Sequence, residues 1–340
     1  MGSMRQLVFD KCQEVFPGWR GMAMDEFEFA DPKGFSTFTM GVRARRDATP
    51  GAVLYRHLEG KENAILDFPS EKEVFLALGH ENIAAHCHHY DDECRIEEFY
   101  HGSTLTASEV FESETLRKIA GELYRFHQLT PSNLPTKTFF ELLYDKWGGQ
   151  AEFVLVDQRH RFSAEEQAMC EGLAAIFSEE TLAKVQRCLP DSRPVFCHND
   201  TYHGNVMRLD SGDIKLLDFE FSCLNHKAFD FSNLFAETVM QHNLEEPPHF
   251  SIGEPQFGDH EISVLIGHYL DNACFESEGQ REGELATLLD ETKSMIMMSD
   301  YMYAMAALPL ALEPIQKIRF IPYASLRFAK FLRAYEERFA

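Results

Sequence analysis

The chain has 340 residues, of which 44% are hydrophobic and 26% charged, so wholesale disorder is excluded and two domains are expected at roughly 150 residues each. Its 32 basic side chains stand against 55 acidic ones, a formal charge of −23, which excludes a broad electrostatic footprint for nucleic acid but leaves room for a local phosphate site. Eight cysteines without paired spacing or a secretory leader predict reduced thiols in a cytoplasmic protein. The most apolar stretch, Ser294 to Ile315, is interrupted by Asp300, Pro309 and Glu313, so no membrane insertion is expected.

The predicted elements follow in chain order. Phe35 to Val42 and Ala52 to Arg56 are β-prone runs joined by a polar turn around Asp47 to Gly51. Ser70 followed by Glu73 has capping-box spacing and opens a helix from Glu71 to Leu78, which Gly79 closes. Ile83 to Tyr90 and Cys94 to Tyr100 read as strands around the acidic turn Asp91-Asp92-Glu93. His86-Cys87-His88-His89 with Cys94 is not taken for a zinc site, because strand alternation sends neighbours to opposite faces and no second ligand pair follows. His101-Gly102-Ser103 is a candidate hinge.

Beyond it the texture turns helical. Leu116, Ile119, Ala120, Leu123 and Phe126 form one apolar stripe, and Phe139 to Trp147, Ala164 to Phe177 and Thr181 to Leu189 look similar. A compact β segment follows Pro194. The chain then returns to helix through Met305, ending at Pro309, with a closing helix from Ala324 to Phe339. Met295, Met298, Met302 and Met305 read as a buried helix stripe. A small β-rich part followed by a larger helical one predicts a two-lobed α+β enzyme divided into 1–100 and 101–340.

The chemistry concentrates between Val195 and Glu220. An apolar strand ends in His198-Asn199-Asp200, four residues lead to Asn205, and a hairpin turns through Asp210 to Asp213. A second apolar strand then ends in Asp218-Phe219-Glu220. Phosphoryl transfer needs those groups in that order: a carboxylate for the proton of the nucleophile, then an Asn and a second Asp to hold Mg2+ against phosphates. Strand ends and tight loops fix the separations, and positioning is most of the catalysis.

His198-Asn199-Asp200 with Asn205, followed by Leu217 to Ser222, Asn225, Phe229-Asp230, Asn233, Phe235 and Glu237, resembles the choline/ethanolamine kinases. The first part alone is shared with aminoglycoside phosphotransferases and, more distantly, with protein kinases. Val53-Leu54-Tyr55-Arg56 resembles the family's strand bearing a nucleotide-contacting Arg, and Arg95 to Phe99 its hinge strand. His127 resembles the His after the hinge helix, and Ile318-Arg319-Phe320 with Tyr323, Ala324, Arg327 and Phe328 the family's C-terminal end.

The resemblance implies a two-lobed protein-kinase-like fold, with a nucleotide-binding lobe to residue 100 and a catalytic and substrate-binding lobe beyond it. It implies ATP as co-substrate, Mg2+, and phosphorylation of the hydroxyl of choline or ethanolamine, the first step of phosphatidylcholine and phosphatidylethanolamine synthesis. It also allows a homodimer. Asp200 would be the catalytic base, Asn205 and Asp218 the metal ligands, and Glu220 a support for that site or for the substrate loop. Arg56 would reach the ATP phosphates with Glu71 as its ion-pair partner, under a loop containing Ser36 and Thr37. Glu98 to Tyr100 would offer backbone groups to adenine.

An ammonium headgroup is held by aromatic faces and carboxylates. The candidates are Phe221, Phe235, Tyr301, Tyr303, Phe320 and Tyr323, with Glu220 and Glu237 supplying negative potential. The family usually places two Trp residues one turn apart on the late helix, where this chain has Tyr303 and Ala306. That thinner cage leaves both amino alcohols open. An aminoglycoside-type or other small-molecule phosphotransferase of the same fold is the alternative. A catalytically inactive kinase-like binding module is the second, and it would require the loss of Asp200, Asn205 or Asp218, all of which are present.

Overall fold

The computed structural model describes residues 2–30, 38–58, 71–131, 137–242, 244–312 and 318–339, with the side chains of 2, 3 and 71 left aside. The expected phosphate loop with Ser36 and Thr37, the cap Ser70 and the side chain of Glu71 therefore lie outside the described residues. The chain divides into two compact units, Met1–Gly102 and Ser103–Ala340.

The first unit is built on an antiparallel five-stranded sheet of β1 (Phe27–Phe29), β2 (Thr39–Ala44), β3 (Ala52–His57), β4 (Cys87–Tyr90) and β5 (Cys94–Glu98), in the order β1-β2-β3-β5-β4. Period-two burial explains one face: Met40 opposes Tyr55, and Tyr55 opposes Ile96. Those side chains pack with Val8 and Cys12 of a helix absent from the sequence reading, α1 (Gly2–Val15), and with Trp19. The helix α2 (Glu71–His80) runs past the expected stop at Gly79. Asn82, at φ 57°, turns the chain instead, with Asn82 N–H donating to the Gly79 carbonyl and Ile83 N–H to that of Leu78.

The strand expected from Ile83 begins only at Cys87, and a register shift between Cys87 and His89 breaks the alternation. His89, Asp91 and Cys94 consequently gather at one hairpin end. The Lys11 ammonium lies 2.7 Å from the Asp91 carboxylate, so a protein cation already serves that acid. The strand expected to reach Tyr100 ends at Glu98, and β6 (Gly102–Thr104) lies at the boundary of the units.

The second unit carries α3 (Ser113–His127), α4 (Phe139–Val156), α5 (Ala164–Leu173), α6 (Glu179–Cys188), β7 (Val195–Cys197), β8 (Val206–Leu209), β9 (Ile214–Leu216), β10 (Cys223–Asn225), α7 (Lys227–Ala236), β11 (Met240–His242), β12 (Phe250–Ile252), α8 (Asp259–Leu270), α9 (Glu278–Leu310) and α10 (Phe320–Phe339). The core helix is α9, packed against α4, α7 and α10, with Met295, Met298, Met302 and Met305 all fully buried. Pro309 sits inside its last turn rather than ending it. The stripe of α3 places Phe126 against Phe196 of β7 at 4.9 Å and against Phe219 at 5.9 Å, so one ring supports both chain segments that bear the sequence motif. Among the described residues no helix is long and apolar enough to cross a membrane, and all eight cysteines are free thiols.

Candidate active site

Two short antiparallel pairings align the motif. The first joins β7 to β10 with Cys197 opposite Cys223; the second joins β8 to β9 with Val206 opposite Leu216. Leu217 N–H continues the second ladder by donating to the Asn205 carbonyl at 2.8 Å. Asn205 and Asp218 are thereby brought to the same end of the hairpin. Asn199 and Asp218 take left-handed backbone angles, φ 68° and 64°. Such angles are costly for non-glycine residues and persist only where the surroundings enforce them.

At Asn199 the enforcing contacts are explicit. Its side-chain Nδ2 donates to the Phe221 carbonyl at 2.9 Å, its Oδ1 accepts from Asn225 at 2.7 Å, and its backbone N–H donates to Asp230 at 2.7 Å. Asp230 of α7 also accepts from His198 N–H at 2.8 Å and pairs with His127 at 3.0 Å. His198, fully buried and held neutral chiefly by desolvation, donates from Nε2 to the Leu217 carbonyl at 2.9 Å, and its Nδ1 accepts from Asp200 N–H at 3.2 Å. The imidazole thus ties the Asp200 loop to the Asp218 loop.

Asp200 is buried, and its two carboxylate oxygens take different donors. Tyr303 Oη donates to Oδ1 at 2.5 Å and Asn205 Nδ2 to Oδ2 at 2.8 Å. Burial lifts this carboxyl from the ordinary 3.8 to about 7; the charges of Asp218 and Glu237 add to the rise, against the hydrogen bonds from Tyr303 and Asn205. A carboxylate in that range is matched to proton abstraction near neutral pH. Asn205 Nδ2 is turned to Asp200, which leaves its Oδ1 for another partner, and no donor reaches the half-buried Asp218 carboxylate among the described residues.

Gly204 is required by close approach. A Cβ there would lie 2.4 Å from the Tyr202 ring. Gly204→Ala is expected to displace that ring and the adjoining Asn205, costing about 1–3 kcal/mol as overpacking does. A melting curve and a turnover assay on one preparation would show both losses; an unchanged melting temperature would contradict the contact.

A second constellation lies on α9, α10 and the turn after α7. Arg327 is fully buried and bonds Glu237 at 2.6 Å, Asp300 at 2.8 Å and the Tyr323 hydroxyl at 2.9 Å. Its guanidinium lies 4.8 Å from the Tyr303 ring centre and 5.2 Å from that of Tyr323. One face of each ring expected to receive a ligand cation therefore already carries a cation of the protein, because Tyr323 and Arg327 lie one turn apart on α10. Glu237 is almost fully buried and its carboxyl is pushed up by desolvation, although Arg327 pulls the other way. Its Oε1 has no hydrogen-bond partner, unlike Oε2. His242, tilted against the Tyr323 ring at 5.9 Å, is pushed down to about 4 by burial and by Arg327.

The remaining expected residues are placed less centrally. Phe221 packs edge-on against Phe139 and Trp147, Phe235 packs against Phe257, and Tyr301 turns to Phe331 two positions along α9 from Tyr303. Those rings are core, on faces set by helical and loop geometry that residue type alone does not disclose. Glu220 and Phe320 are half-buried. In the first unit, Arg56 pairs with Glu97 at 3.1 Å across β3 and β5. Glu98 N–H donates to the His86 carbonyl, and Tyr100 is half-buried just past the strand end. His198, Asn199, Asp230 and Arg327 hold the site together although the sequence reading assigned them no role in it; their partners lie far along the chain, so no local spacing disclosed them.

A family model described as choline/ethanolamine kinase matches residues 33–332. Probable choline kinase 3 of Arabidopsis thaliana is 27% identical over 241 residues, covering 70% of this chain and 65% of that protein, just under two thirds of its length. The choline/ethanolamine kinase of Rattus norvegicus is 26% identical over 283 residues, covering 80% of this chain and 68% of that protein. Among solved structures, choline kinase from Cryptosporidium parvum Iowa II has a TM-score of 0.78 at 21% identity, covering 98% of this chain and 95% of that one. Ethanolamine kinase of Plasmodium vivax has a TM-score of 0.74 at 20% identity, covering 98% and 91%. At such identity the likeness speaks to fold, the α+β fold of a small β-rich unit followed by a larger, mainly helical one. With the family match covering most of the sequence, the chain belongs to the choline/ethanolamine kinase family.

Proposed function

We infer that this protein transfers the γ-phosphoryl group of ATP to the hydroxyl of choline or ethanolamine. The observation that carries the reading is Asp200, a buried carboxylate whose pKa is lifted to about 7, fixed by two donors and set beside Asp218. In the transfer, the acceptor O–H gives its proton to Asp200, the acceptor oxygen forms a bond to the γ-phosphorus, and the bond from that phosphorus to its bridging oxygen breaks to release ADP.

The donor set fits Mg2+. The Asn205 Oδ1 and the unengaged Asp218 carboxylate are hard oxygen ligands, the kind this ion takes alongside substrate phosphates. Asn205 and Asp218 would hold the ion, which when bound neutralises charge on the phosphate oxygens. The enforced backbone of Asn199 and the His198 bridge keep Asp200 and Asp218 at fixed separation, so that positioning precedes substrate binding.

For the headgroup, the unpartnered Oε1 of Glu237 supports recognition of an ammonium group by this carboxyl. Glu237→Gln keeps an acceptor for Arg327 but removes the charge. It is expected to raise KM for either amino alcohol by about tenfold with kcat nearly unchanged, the pattern of lost ground-state binding. A changed kcat at constant KM would contradict that role. ADP release measured side by side on choline, ethanolamine and an aminoglycoside tests the function itself: turnover with either amino alcohol supports it, and turnover with the aminoglycoside alone overturns it.

A further inference from the structure

We propose that the hydroxyl of Tyr303 is a positioning group for the transfer: it holds Oδ1 of Asp200 and so aims the carboxylate at the acceptor hydroxyl. The inference rests on the function proposed above but assigns Tyr303 a different task from lining a headgroup cage.

A carboxylate on a two-bond stem rotates freely unless both oxygens are held. Asn205 restrains Oδ2 from the hairpin side, at 2.8 Å. Tyr303 restrains Oδ1 from α9, more than one hundred residues later in the chain. Removing either donor leaves one rotational restraint where there are two.

Tyr303 is itself well fixed. It stands on a long core helix between the buried Met302 and Ala304, with the Arg327 guanidinium over its ring. Phenols are protonated at neutral pH, so the hydroxyl remains a donor while Asp200 acts as base. A functional carboxylate supported by a side chain on a rigid element is held more closely than one supported by a loop. The geometry also separates ring from hydroxyl: the ring face meets Arg327, and the oxygen meets Asp200. A residue that served only as a cage wall would have no need of the second contact.

Tyr303→Phe removes the oxygen and keeps the ring. The expected result is a kcat lower by about tenfold or more, with KM for the amino alcohol changed less than about threefold. The decisive comparison is a double-mutant cycle with Asp200→Ala. If the hydroxyl acts through Asp200, Tyr303→Phe costs less than about twofold further in that background. An equal loss in both backgrounds, as general structural damage would give, overturns the proposal, as does a rise in KM alone. If the wild type transfers nothing to choline or ethanolamine, the substrate reading fails separately. The same ratios are then read on ATP hydrolysis, where water is the acceptor, and a Tyr303→Phe loss that persists without Asp200 overturns the positioning role there too.

Discussion

Asp200→Asn is expected to lower kcat by about 10²-fold or more and, at the same time, to raise the melting temperature at pH 8. The first effect follows from losing the proposed base, whose role would be exercised in the transition state. The second follows from linkage. Asp200 is pushed from 3.8 up to about 7, first by desolvation, so the folded protein holds a proton that the unfolded chain releases between those values. Relative stability is full below the unfolded value, declines as pH rises through the window, and reaches its largest penalty above about 7. Asparagine carries no such penalty, and the Tyr303 hydroxyl can turn to accept from its amide. Calorimetry at pH 8 and pH 4, with chelator present, should show the variant more stable at the higher pH and the gap closing at the lower. A variant less stable than wild type at pH 8 would contradict the electrostatic account of the site.

Asp230→Ala should instead lower both activity and stability. The carboxylate is fully buried and accepts from two backbone N–H groups, those of His198 and Asn199, and from His127. Alanine leaves these three donors without a partner, at about 1–3 kcal/mol each, and even the lower total of about 3 kcal/mol corresponds to a melting temperature lower by about 6–12 °C. The left-handed turn at Asn199 loses an enforcing contact, so the loop that carries Asp200 drifts and kcat falls although Asp230 touches no substrate. The two variants therefore move stability in opposite directions. Wild-type turnover by Asp230→Ala would refute the claim that α7 sets the geometry of the loop.

The polar residues proposed for the chemistry stood out because phosphoryl transfer would constrain residue type and spacing together. Asp200, Asn205 and Asp218 could be picked out from apolar strands that end in polar residues, and the hairpin register then places Asn205 near Asp218. What supports them was less legible, since Asp230, His127 and Arg327 act through contacts across 27 to 103 residues of chain. Local periodicity carries no trace of such pairings. The N-terminal helix was not read from the sequence; its packed side, Val8 and Cys12 with Phe9 and Val15 partly buried, meets the sheet. At α2 the expected glycine stop gave way to Asn82, since asparagine also tolerates the left-handed angle a helix end needs. The headgroup aromatics were the least legible. Whether a tyrosine on α9 meets a ligand, a carboxylate or another ring depends on helix rotation, which sends Tyr303 to Asp200 and Tyr301 to Phe331.

The most direct test of the account is a phosphorus NMR time course of the wild-type protein with Mg-ATP and equal choline and ethanolamine. The expected result is growth of a phosphomonoester signal matching phosphocholine or phosphoethanolamine, in step with ADP, and its near absence with Asp200→Asn. Release of inorganic phosphate alone, or an undiminished phosphomonoester signal from Asp200→Asn, would contradict it.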